Sequence, residues 1–368
     1  MNKSITIIAI VFVALIASGA AYVVYTEYSS TPDAPLNPEV PTQPSAQTQP
    51  SPTDSAKNPA STTGTDTNSE TKKSSDSSTD TTNNSSNNNN NQPKPVTIVD
   101  DGNTTVTINS VPKRIVSLAP SITEILFAAG AGDQVIGVTD YCNYPYNFKD
   151  WITAGNMTSI GGYWQPAIEP IMALNPDLVI AAGDGASNEA AAKLRALDYT
   201  VIVLNPQSVK DILNALDIIG KATGNDAKAT QTINAIQTRI DAVTAKVAGV
   251  TDKPNVCYMM GTTYAAGSGS FIGDLITLAG GVNVFGDLVA AYPQVSREIV
   301  LAKNPDIIIT SSAPSTFLNN ANWATINAVV NGRVYQGSVY DAYARNGPRF
   351  IDVLEEIATM IHPELFGA

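Results

Sequence analysis

Two short segments of this chain carry a glutamate in the same local pattern. IEPIMALNPDLVIA contains Glu169 and SREIVLAKNPDIIIT contains Glu298, and each glutamate precedes an alanine and then Asn-Pro-Asp. A carboxylate in the first turn of a helix is favoured by about 0.3–1 kcal/mol through the helix dipole, which is one sufficient reason for both residues. Two similar lobes side by side would also present one carboxylate each on a shared face, and such a pair predicts docking onto a basic partner.

Histidine and cysteine are too scarce for most metal and nucleophile chemistry. The chain has one histidine, His362, and two cysteines, Cys142 and Cys257. This composition argues against histidine-based metal sites and against Ser-His or Cys-His catalysis. The net charge of −12 argues against nucleic acid as a partner, because phosphate binding requires a basic face. We therefore expect a protein that is not an enzyme and holds neither a metal nor a resident cofactor.

A glycine-containing segment, AAGSGSF, precedes a predicted helix and invites comparison with phosphate-binding loops. It lacks the Lys-Ser/Thr pair of a P-loop and the glycine spacing of a dinucleotide-binding fingerprint. We interpret it as a connecting loop in which Ser270 caps the next helix. Cys142 lies in a predicted loop and Cys257 in a predicted strand of the other half, so we expect two separate thiols rather than a disulfide.

Strands and helices must position these residues, and the sequence predicts that they alternate. Continuous aliphatic runs such as DLVIAAG and TVIVLNP are typical of strands in a parallel sheet that is covered on both faces. RIVSLAP is a further such strand, and Ser121 with Glu124 is interpreted as a capping box of the helix that follows it. In the repeated segments, Asn175 and Asn304 are predicted to end a helix in the left-handed conformation, before a proline.

One long amphipathic helix interrupts this alternation and divides the folded region. Its apolar stripe has helical spacing and consists of Ile233, Ile236, Ile240, Val243 and Val247. We predict an N-terminal αβ lobe over 95–224, a connecting helix over 225–249 and a C-terminal αβ lobe over 250–368. The predicted fold class is therefore α/β, with two Rossmann-like lobes that each contain a parallel central sheet and are joined by a single long helix.

The first 94 residues have a different character from the rest. Residues 1–28 contain an uncharged apolar run of about membrane-spanning length, which predicts an N-terminal transmembrane anchor, with a cleaved signal peptide as the alternative. Residues 29–94 are rich in Ser, Thr, Asn and Pro, so they are predicted to form a disordered linker. No cysteine precedes Cys142, which argues against an N-terminal lipid anchor. The folded lobes are therefore expected outside the cytoplasm and tethered to the membrane.

Five segments in order resemble the cobalamin and iron-siderophore substrate-binding proteins of ABC importers. They are RIVSLAPSITEILFAAGA, ALNPDLVIA, SFIGDLITLAGGVNVFGD, YPQVSREIVLAKNPDIII and DAYARNGPRFIDVLEEIA. The resemblance covers residues 95–366 and is greatest to the cobalamin-binding branch. It implies the class III periplasmic-binding-protein fold, a ligand cleft between the lobes, and partners that are an ABC permease with its ATPase. In that family the two lobe glutamates contact permease arginines, which implies docking by Glu169 and Glu298.

The resemblance also implies which residues bind the ligand. The positions that match the cleft residues of the family are Pro120, Tyr141, Tyr163 or Trp164, Tyr292, Asp341 and Arg345. Tyr and Trp rings suit the flat face of a corrinoid, and charged groups suit its amide fringe. Each aromatic residue also has a purely structural interpretation, and Asp341 with Arg345 could form an ordinary i,i+4 salt bridge.

The predicted function is to capture a corrinoid outside the cytoplasm and to deliver it to the permease. Some positions that are Trp in the cobalamin branch are Tyr here, and its disulfide cysteines are missing, so a ferric siderophore or haem is the alternative ligand. A two-lobed αβ enzyme, such as a glycosyltransferase, is a more remote alternative, and a surface adhesion or sensory domain is another. Neither of the last two is favoured by a motif in the chain.

Overall fold

Buried aliphatic strands organise the protein around two separate five-stranded sheets. The computed structural model describes residues 95–367, so the predicted anchor over 1–28 and linker over 29–94 lie outside the described residues. Within 95–367, none of the helices combines the length and the apolar character needed to cross a membrane.

The first part of the described region, residues 95–204, contains nine strands and four helices, together with a short 3₁₀ turn at Gly132–Gln134. In chain order these elements are β1 (Val96–Val99), β2 (Thr105–Ile108), β3 (Ile115–Ser117), α1 (Pro120–Ala128), β4 (Val135–Val138), α2 (Phe148–Thr153), β5 (Thr158–Ser159), β6 (Gly161–Gly162), β7 (Gln165–Pro166), α3 (Ile168–Ala173), β8 (Leu178–Ala182), α4 (Gly185–Ala196) and β9 (Val201–Leu204). The central sheet has the order β5-β4-β3-β8-β9, and all its pairs are parallel. We call this sheet and its helices the N-terminal lobe.

Two helices follow and carry the chain to the second half. They are α5 (Val209–Thr223) and α6 (Asp226–Val247), and Gly224 turns the chain between them in the left-handed conformation with φ 71°. The buried face of α6 includes Ile236, Ile240, Val243 and Val247, as its apolar spacing predicts. Gly220 of α5 lets the two helices approach closely, because a Cβ atom there would lie 2.5 Å from the Cβ of Ala229.

The second half contains five strands and seven helices, with a 3₁₀ turn at Ala321–Trp323. These elements are β10 (Asn255–Met260), β11 (Tyr264–Ala265), α7 (Phe271–Leu278), β12 (Val282–Asn283), α8 (Arg297–Lys303), β13 (Ile307–Thr310), α9 (Ser315–Leu318), α10 (Asn327–Val330), β14 (Val334–Gln336), α11 (Tyr340–Ala344), α12 (Phe350–Ile361) and α13 (Pro363–Phe366). Strands β12, β10, β13 and β14 pair in parallel, and β11 lies antiparallel to β10. We call this sheet and its helices the C-terminal lobe.

The repeated Asn-Pro-Asp segment has the same structural role in both lobes. Asn175 and Asn304 adopt the predicted left-handed conformation, with φ of 43° and 42°. Asp177 then accepts hydrogen bonds from the backbone amides of Lys113 and Arg114 at 2.8 and 2.9 Å, just before β3. In the second copy, Asp306 accepts from the amide of Asn255 at 2.9 Å, at the start of β10. In each lobe the aspartate therefore aligns a helix–strand connection with the strand beside it.

Several local predictions are confirmed and one is wrong. Ser270 caps α7 by accepting from the amide of Gly273 at 3.1 Å, and Cys142 and Cys257 are separate buried thiols. The capping box predicted for Ser121 and Glu124 is wrong, because α1 begins at Pro120 and has no side-chain cap. Glu124 is instead buried and hydrogen-bonded to arginines of the other lobe.

Candidate functional site

A cavity of about 250 Å³ lies at the carboxyl edge of the central sheet of the N-terminal lobe, and residues of the C-terminal lobe form its remaining wall. Its walls come from segments that follow β3, β4, β8 and β9 and from the turn between α11 and α12. The lining residues are Pro120, Ser121, Tyr141, Tyr163, Trp164, Ala182, Asp184, Leu204, Asn205, Pro206, Gln207, Ala344, Arg345 and Asn346. Open parallel sheets bind ligands at this edge, because side chains from several strand ends converge there. The cavity is therefore the candidate ligand site.

Five of the predicted ligand residues lie together in this cavity. Pro120 occupies the first turn of α1, immediately after β3. Tyr163 and Trp164 form the turn of the β6–β7 hairpin, and Tyr141 follows β4. Tyr141 and Trp164 are 55% and 46% exposed, so their rings are available to a ligand at the cavity rim. Arg345, the fifth, comes from the C-terminal lobe, so residues from both lobes build one site.

Tyr163 is the most constrained of these aromatic residues. Its hydroxyl donates a hydrogen bond to a carboxylate oxygen of Asp184, which follows β8. Burial and the neighbouring Asp184 carboxylate raise the pKa of the Tyr163 hydroxyl. The phenol therefore stays protonated at physiological pH, with its proton directed at Asp184. Its ring is left to provide an apolar face toward the cavity.

Amide side chains supply a set of polar groups that sequence reasoning missed. Asn205 and Gln207 follow β9, and Asn346 follows α11. Gln207 donates to the side-chain oxygen of Asn205 at 2.9 Å, and Asn346 donates to the carbonyl of Pro206 at 2.5 Å. The sequence could have indicated Asn205 and Gln207 as site residues, because both come soon after the buried strand run TVIVL. Asn346 carries no comparable signal, since its position depends on contact between the lobes.

Arg345 closes the cavity while it is held firmly by other residues. Its Nη1 donates to Glu124 Oε1 at 2.9 Å and to Asn143 Oδ1 at 2.7 Å, and its Nη2 donates to the Tyr141 carbonyl at 3.1 Å. Nη2 also forms a salt bridge of 3.0 Å with Asp341 Oδ2. Three hydrogen bonds and one salt bridge therefore engage both terminal nitrogens of the guanidinium. A ligand would therefore meet a fixed cation rather than a mobile one.

Two of the predicted ligand residues do not line this cavity. Asp341 forms the i,i+4 salt bridge with Arg345 and accepts from Asn143 Nδ2 at 2.7 Å. Tyr292 is partly buried against the core, and burial raises the pKa of its hydroxyl. Asp341 therefore contacts Arg345, which lines the cavity, and Tyr292 packs against core residues.

The C-terminal lobe contributes a second group of tyrosines that sequence reasoning also missed. Tyr258 and Tyr343 are stacked, with ring centroids 5.9 Å apart and planes at 10°. Together with Tyr340, which is exposed, they line a small hollow near the carboxyl ends of β10, β13 and β14. The Tyr343 hydroxyl donates to Glu356 Oε2 at 3.0 Å. Aromatic rings therefore stand at the carboxyl edges of both sheets.

The two repeated glutamates are both exposed in the first turn of a short helix. Glu169 lies on α3 and Glu298 lies on α8. The segment that precedes each helix forms backbone hydrogen bonds with the chain beyond the carboxyl end of the central sheet of its lobe. Hydrogen bonds from its own backbone amide and from Ser296 hold the pKa of Glu298 below its usual range. Arg297 also approaches Glu298, with Nη2 and Oε1 3.0 Å apart. Both carboxylates remain accessible to a partner.

A second hollow, which we call the aromatic groove, adjoins the cavity. It has a volume of about 330 Å³ and is lined by Glu124, Phe127, Ala128, Tyr144, Pro145, Tyr146, Thr232, Ile236, Arg239, Pro348, Arg349, Ile351 and Asp352. The Arg349 guanidinium lies over the Tyr144 ring, 4.4 Å from its centroid.

Within residues 95–367, no group of three or more His, Cys, Asp or Glu side chains is arranged to hold a metal ion.

Comparison with known proteins gives one family and several relatives. The family profile described as "periplasmic binding protein" matches residues 115–339. An uncharacterized ABC transporter substrate-binding lipoprotein of Bacillus subtilis (strain 168) is 32% identical over 282 residues, which cover 74% of this chain and 87% of the relative. A cobalamin-binding protein of Halobacterium salinarum (strain R1) is 30% identical over 289 residues, which cover 73% of this chain and 74% of that protein.

A solved structure has the same fold. The periplasmic vitamin B12 binding protein of Vibrio cholerae superimposes with a TM-score of 0.58 and 29% sequence identity. The match covers 68% of this chain and 97% of that one. The two-sheet arrangement described above is therefore the class III periplasmic-binding-protein architecture.

Proposed function

The chain belongs to the periplasmic binding protein family, and from this premise we propose that it captures a corrinoid in the cavity between its lobes. As a family member it is the substrate-binding protein of an ABC importer and not an enzyme. The proposal concerns the ligand. It is supported by one observation above all, the convergence of Tyr141, Tyr163, Trp164 and Arg345 on one cavity at the sheet edge.

These side chains match the chemistry of a corrin ring. A corrinoid has a broad apolar face and a fringe of amide side chains. Tyrosine and tryptophan rings cover an apolar face, and their polar tips reach hydrogen-bonding groups at its border. Asn205, Gln207 and Asn346 add donors and acceptors suited to amides. The names of the relatives from Halobacterium salinarum and Vibrio cholerae support the same ligand class.

The cavity is small for such a ligand. Its volume of about 250 Å³ lies below the 300–1,000 Å³ of sites for drug-sized molecules. A corrinoid would therefore occupy the cavity with only part of its surface and would lie against the exposed rings of Tyr141, Trp164 and Tyr340. In this proposal the corrinoid is cargo and not a resident cofactor.

The remaining parts of the proposal concern location and docking. The relative from Bacillus subtilis is named as a lipoprotein, which supports a membrane-attached position outside the cytoplasm for this protein as well. Glu169 and Glu298 are the residues we propose to contact basic groups of the permease, because both are exposed in the first turn of equivalent helices, one in each lobe. A carboxylate pair of this kind orients a docking partner and increases its association rate.

A ferric siderophore, or haem, is the second candidate ligand. It is favoured by the fixed cation of Arg345 and by the tyrosines of the C-terminal lobe, Tyr258, Tyr340 and Tyr343. Arginine and tyrosine suit the anionic oxygens of these compounds as well as they suit a corrinoid. The architecture and the docking proposal are the same for either ligand.

Calorimetric titration distinguishes these ligands. The purified protein would be titrated with cobalamin, cobinamide, haemin and two ferric siderophores, and the expected result is saturable binding of the corrinoids alone. A Trp164→Ala/Tyr141→Ala variant should lose that binding, whereas Val330→Ala, an exposed apolar residue remote from the cavity, should retain it. Binding of a siderophore or of haemin without any corrinoid binding would contradict the ligand proposal.

A further inference from the structure

A buried cluster of charges joins the two lobes beside the candidate ligand cavity. Glu124, on α1 of the N-terminal lobe, is only 2% exposed. Arg349 donates to both of its oxygens, from Nε to Oε2 at 2.9 Å and from Nη2 to Oε1 at 2.7 Å. Arg345 donates to the same Oε1 at 2.9 Å. Two arginines of the C-terminal lobe therefore share one carboxylate of the N-terminal lobe.

The charges in this cluster balance only when the lobes are together. Asp341 supplies the second carboxylate, so two guanidinium groups face two carboxylates. Separation of the lobes would remove both arginines from Glu124, whose carboxylate would then need to be hydrated again. A buried charge that loses its partner is strongly unfavourable, which makes the cluster a brace between the lobes.

The position of the cluster connects this brace with the ligand site. Arg345 lines the cavity, while Glu124 and Arg349 line the aromatic groove on the other side of the same contacts. Glu124 therefore fixes Arg345 from behind, and Arg345 in turn holds the Tyr141 carbonyl at 3.1 Å. A change at Glu124 would be transmitted to the cavity wall through Arg345, although Glu124 is not itself part of that wall.

We propose that Glu124 is a positioning residue for ligand capture, which fixes Arg345 at the cavity wall and holds the two lobes at the spacing that the ligand meets. The proposal rests on the proposed function, because Arg345 is a proposed ligand residue. It adds a role for a buried carboxylate that the ligand would not touch. The spacing of the lobes can be measured without ligand, so it is tested separately from the identity of the ligand.

The test compares two variants that each neutralise a buried carboxylate. Glu124→Gln removes the charge between the lobes. Asp100→Asn removes the equally buried partner of Arg195, a pair that lies wholly within the N-terminal lobe. Spin labels on Lys193→Cys and Asn331→Cys, exposed positions in different lobes, report the distance between the lobes by pulsed electron paramagnetic resonance. The native cysteines are buried, and a sample without introduced cysteines measures any background labelling.

The expected result is a longer and broader distance distribution for Glu124→Gln without ligand, and an unchanged distribution for Asp100→Asn. The dissociation rate constant of cobalamin should rise about 10- to 100-fold in Glu124→Gln, as expected from the loss of charge-assisted hydrogen bonds. If Glu124→Gln does not fold, Arg349→Gln replaces it and should give the same changes in weaker form.

An unchanged distance distribution in the folded variant would overturn the proposal, whatever the ligand is. If the wild-type protein binds no corrinoid, the ligand assignment fails, and the distance measurement still decides the role of Glu124. The dissociation rate is then measured with the compound that does bind in the titration.

Discussion

The ring of Tyr163 meets the ring of Trp164 edge-on, with centroids 4.9 Å apart and planes at 66°. The pair forms the turn of a short hairpin whose strands contain only two residues each, so the aromatic contact helps to hold the turn in place. Trp164 thereby presents an ordered but exposed indole at the cavity rim. The three tryptophans of the chain differ in this respect, since Trp323 is buried and Trp151 stacks on Tyr146.

The first prediction uses this difference. Addition of cobalamin should quench the tryptophan fluorescence of the wild-type protein, because a corrin ring would lie against the Trp164 indole. Trp164→Phe should lose the ligand-dependent part of the quenching, whereas Trp323→Phe should keep it. Equal quenching in the wild type and in Trp164→Phe, after correction for absorption by the ligand, would place the ligand elsewhere.

The second prediction concerns the exposed glutamates. The double variant Glu169→Ala/Glu298→Ala should bind the ligand with unchanged affinity but should lose stimulation of the permease ATPase in proteoliposomes. The reason is that both carboxylates lie on the outer surface of their helices and contribute nothing to the cavity. The matched control is Asp241→Ala/Glu364→Ala, which removes two exposed carboxylates from other helices. Normal stimulation by the first double variant would exclude these residues as docking contacts.

The third prediction concerns pH and the salt bridges between α6 and α12. Arg239 donates to both oxygens of Glu355 at 2.8 and 2.6 Å, and these hydrogen bonds hold the pKa of Glu355 below its usual range. A lowered carboxyl pKa stabilises the folded state above the unfolded pKa of about 4.3, and this stabilisation is lost as the pH falls through the folded value. Because both groups are partly exposed, Glu355→Gln should lower the free energy of unfolding by about 0.2–1 kcal/mol at pH 7.

Urea unfolding at pH 7 and near pH 3 measures this difference. The difference in the free energy of unfolding between wild type and Glu355→Gln should decrease as the solution is acidified. Glu189→Gln, which changes an exposed glutamate on α4, should show no comparable difference from wild type at pH 7. A gap for Glu355→Gln that is the same at both pH values would assign the effect to packing instead of charge.

The fourth prediction concerns a glycine at a close backbone approach. A Cβ atom on Gly267 would lie 2.2 Å from the carbonyl oxygen of Ala290, and the neighbouring backbone cannot yield without moving the loop that precedes α7. Gly267→Ala should therefore lower the free energy of unfolding by at least about 1–3 kcal/mol. Gly249→Ala, where no atom lies within 4 Å, should change it by less than about 0.5 kcal/mol. Equal midpoints for the two variants in thermal unfolding would contradict the backbone-contact explanation.

Local patterns in the sequence determined most of the secondary structure and the overall architecture. The apolar spacing of α6, the aliphatic runs of β8 and β13, and the left-handed Asn175 and Asn304 all depend on neighbours a few residues away. Helix and strand periodicity and backbone conformation depend on residues within that range, so these features can be predicted from the sequence alone. The five cavity residues could be named only through the resemblance to a family.

The tertiary structure decided which charged and amide side chains meet. The local sequence predicts that Glu124 is part of a capping box. Its actual partners, Arg345 and Arg349, lie 221 and 225 residues away in the chain. Asn346 reaches the carbonyl of Pro206 across the lobes, and Tyr292 packs against the core and does not line the cavity. Such contacts depend on how two lobes are oriented around one connecting helix. No local period encodes that orientation, because a long-range ion pair forms only when folding brings both partners into the same desolvated space.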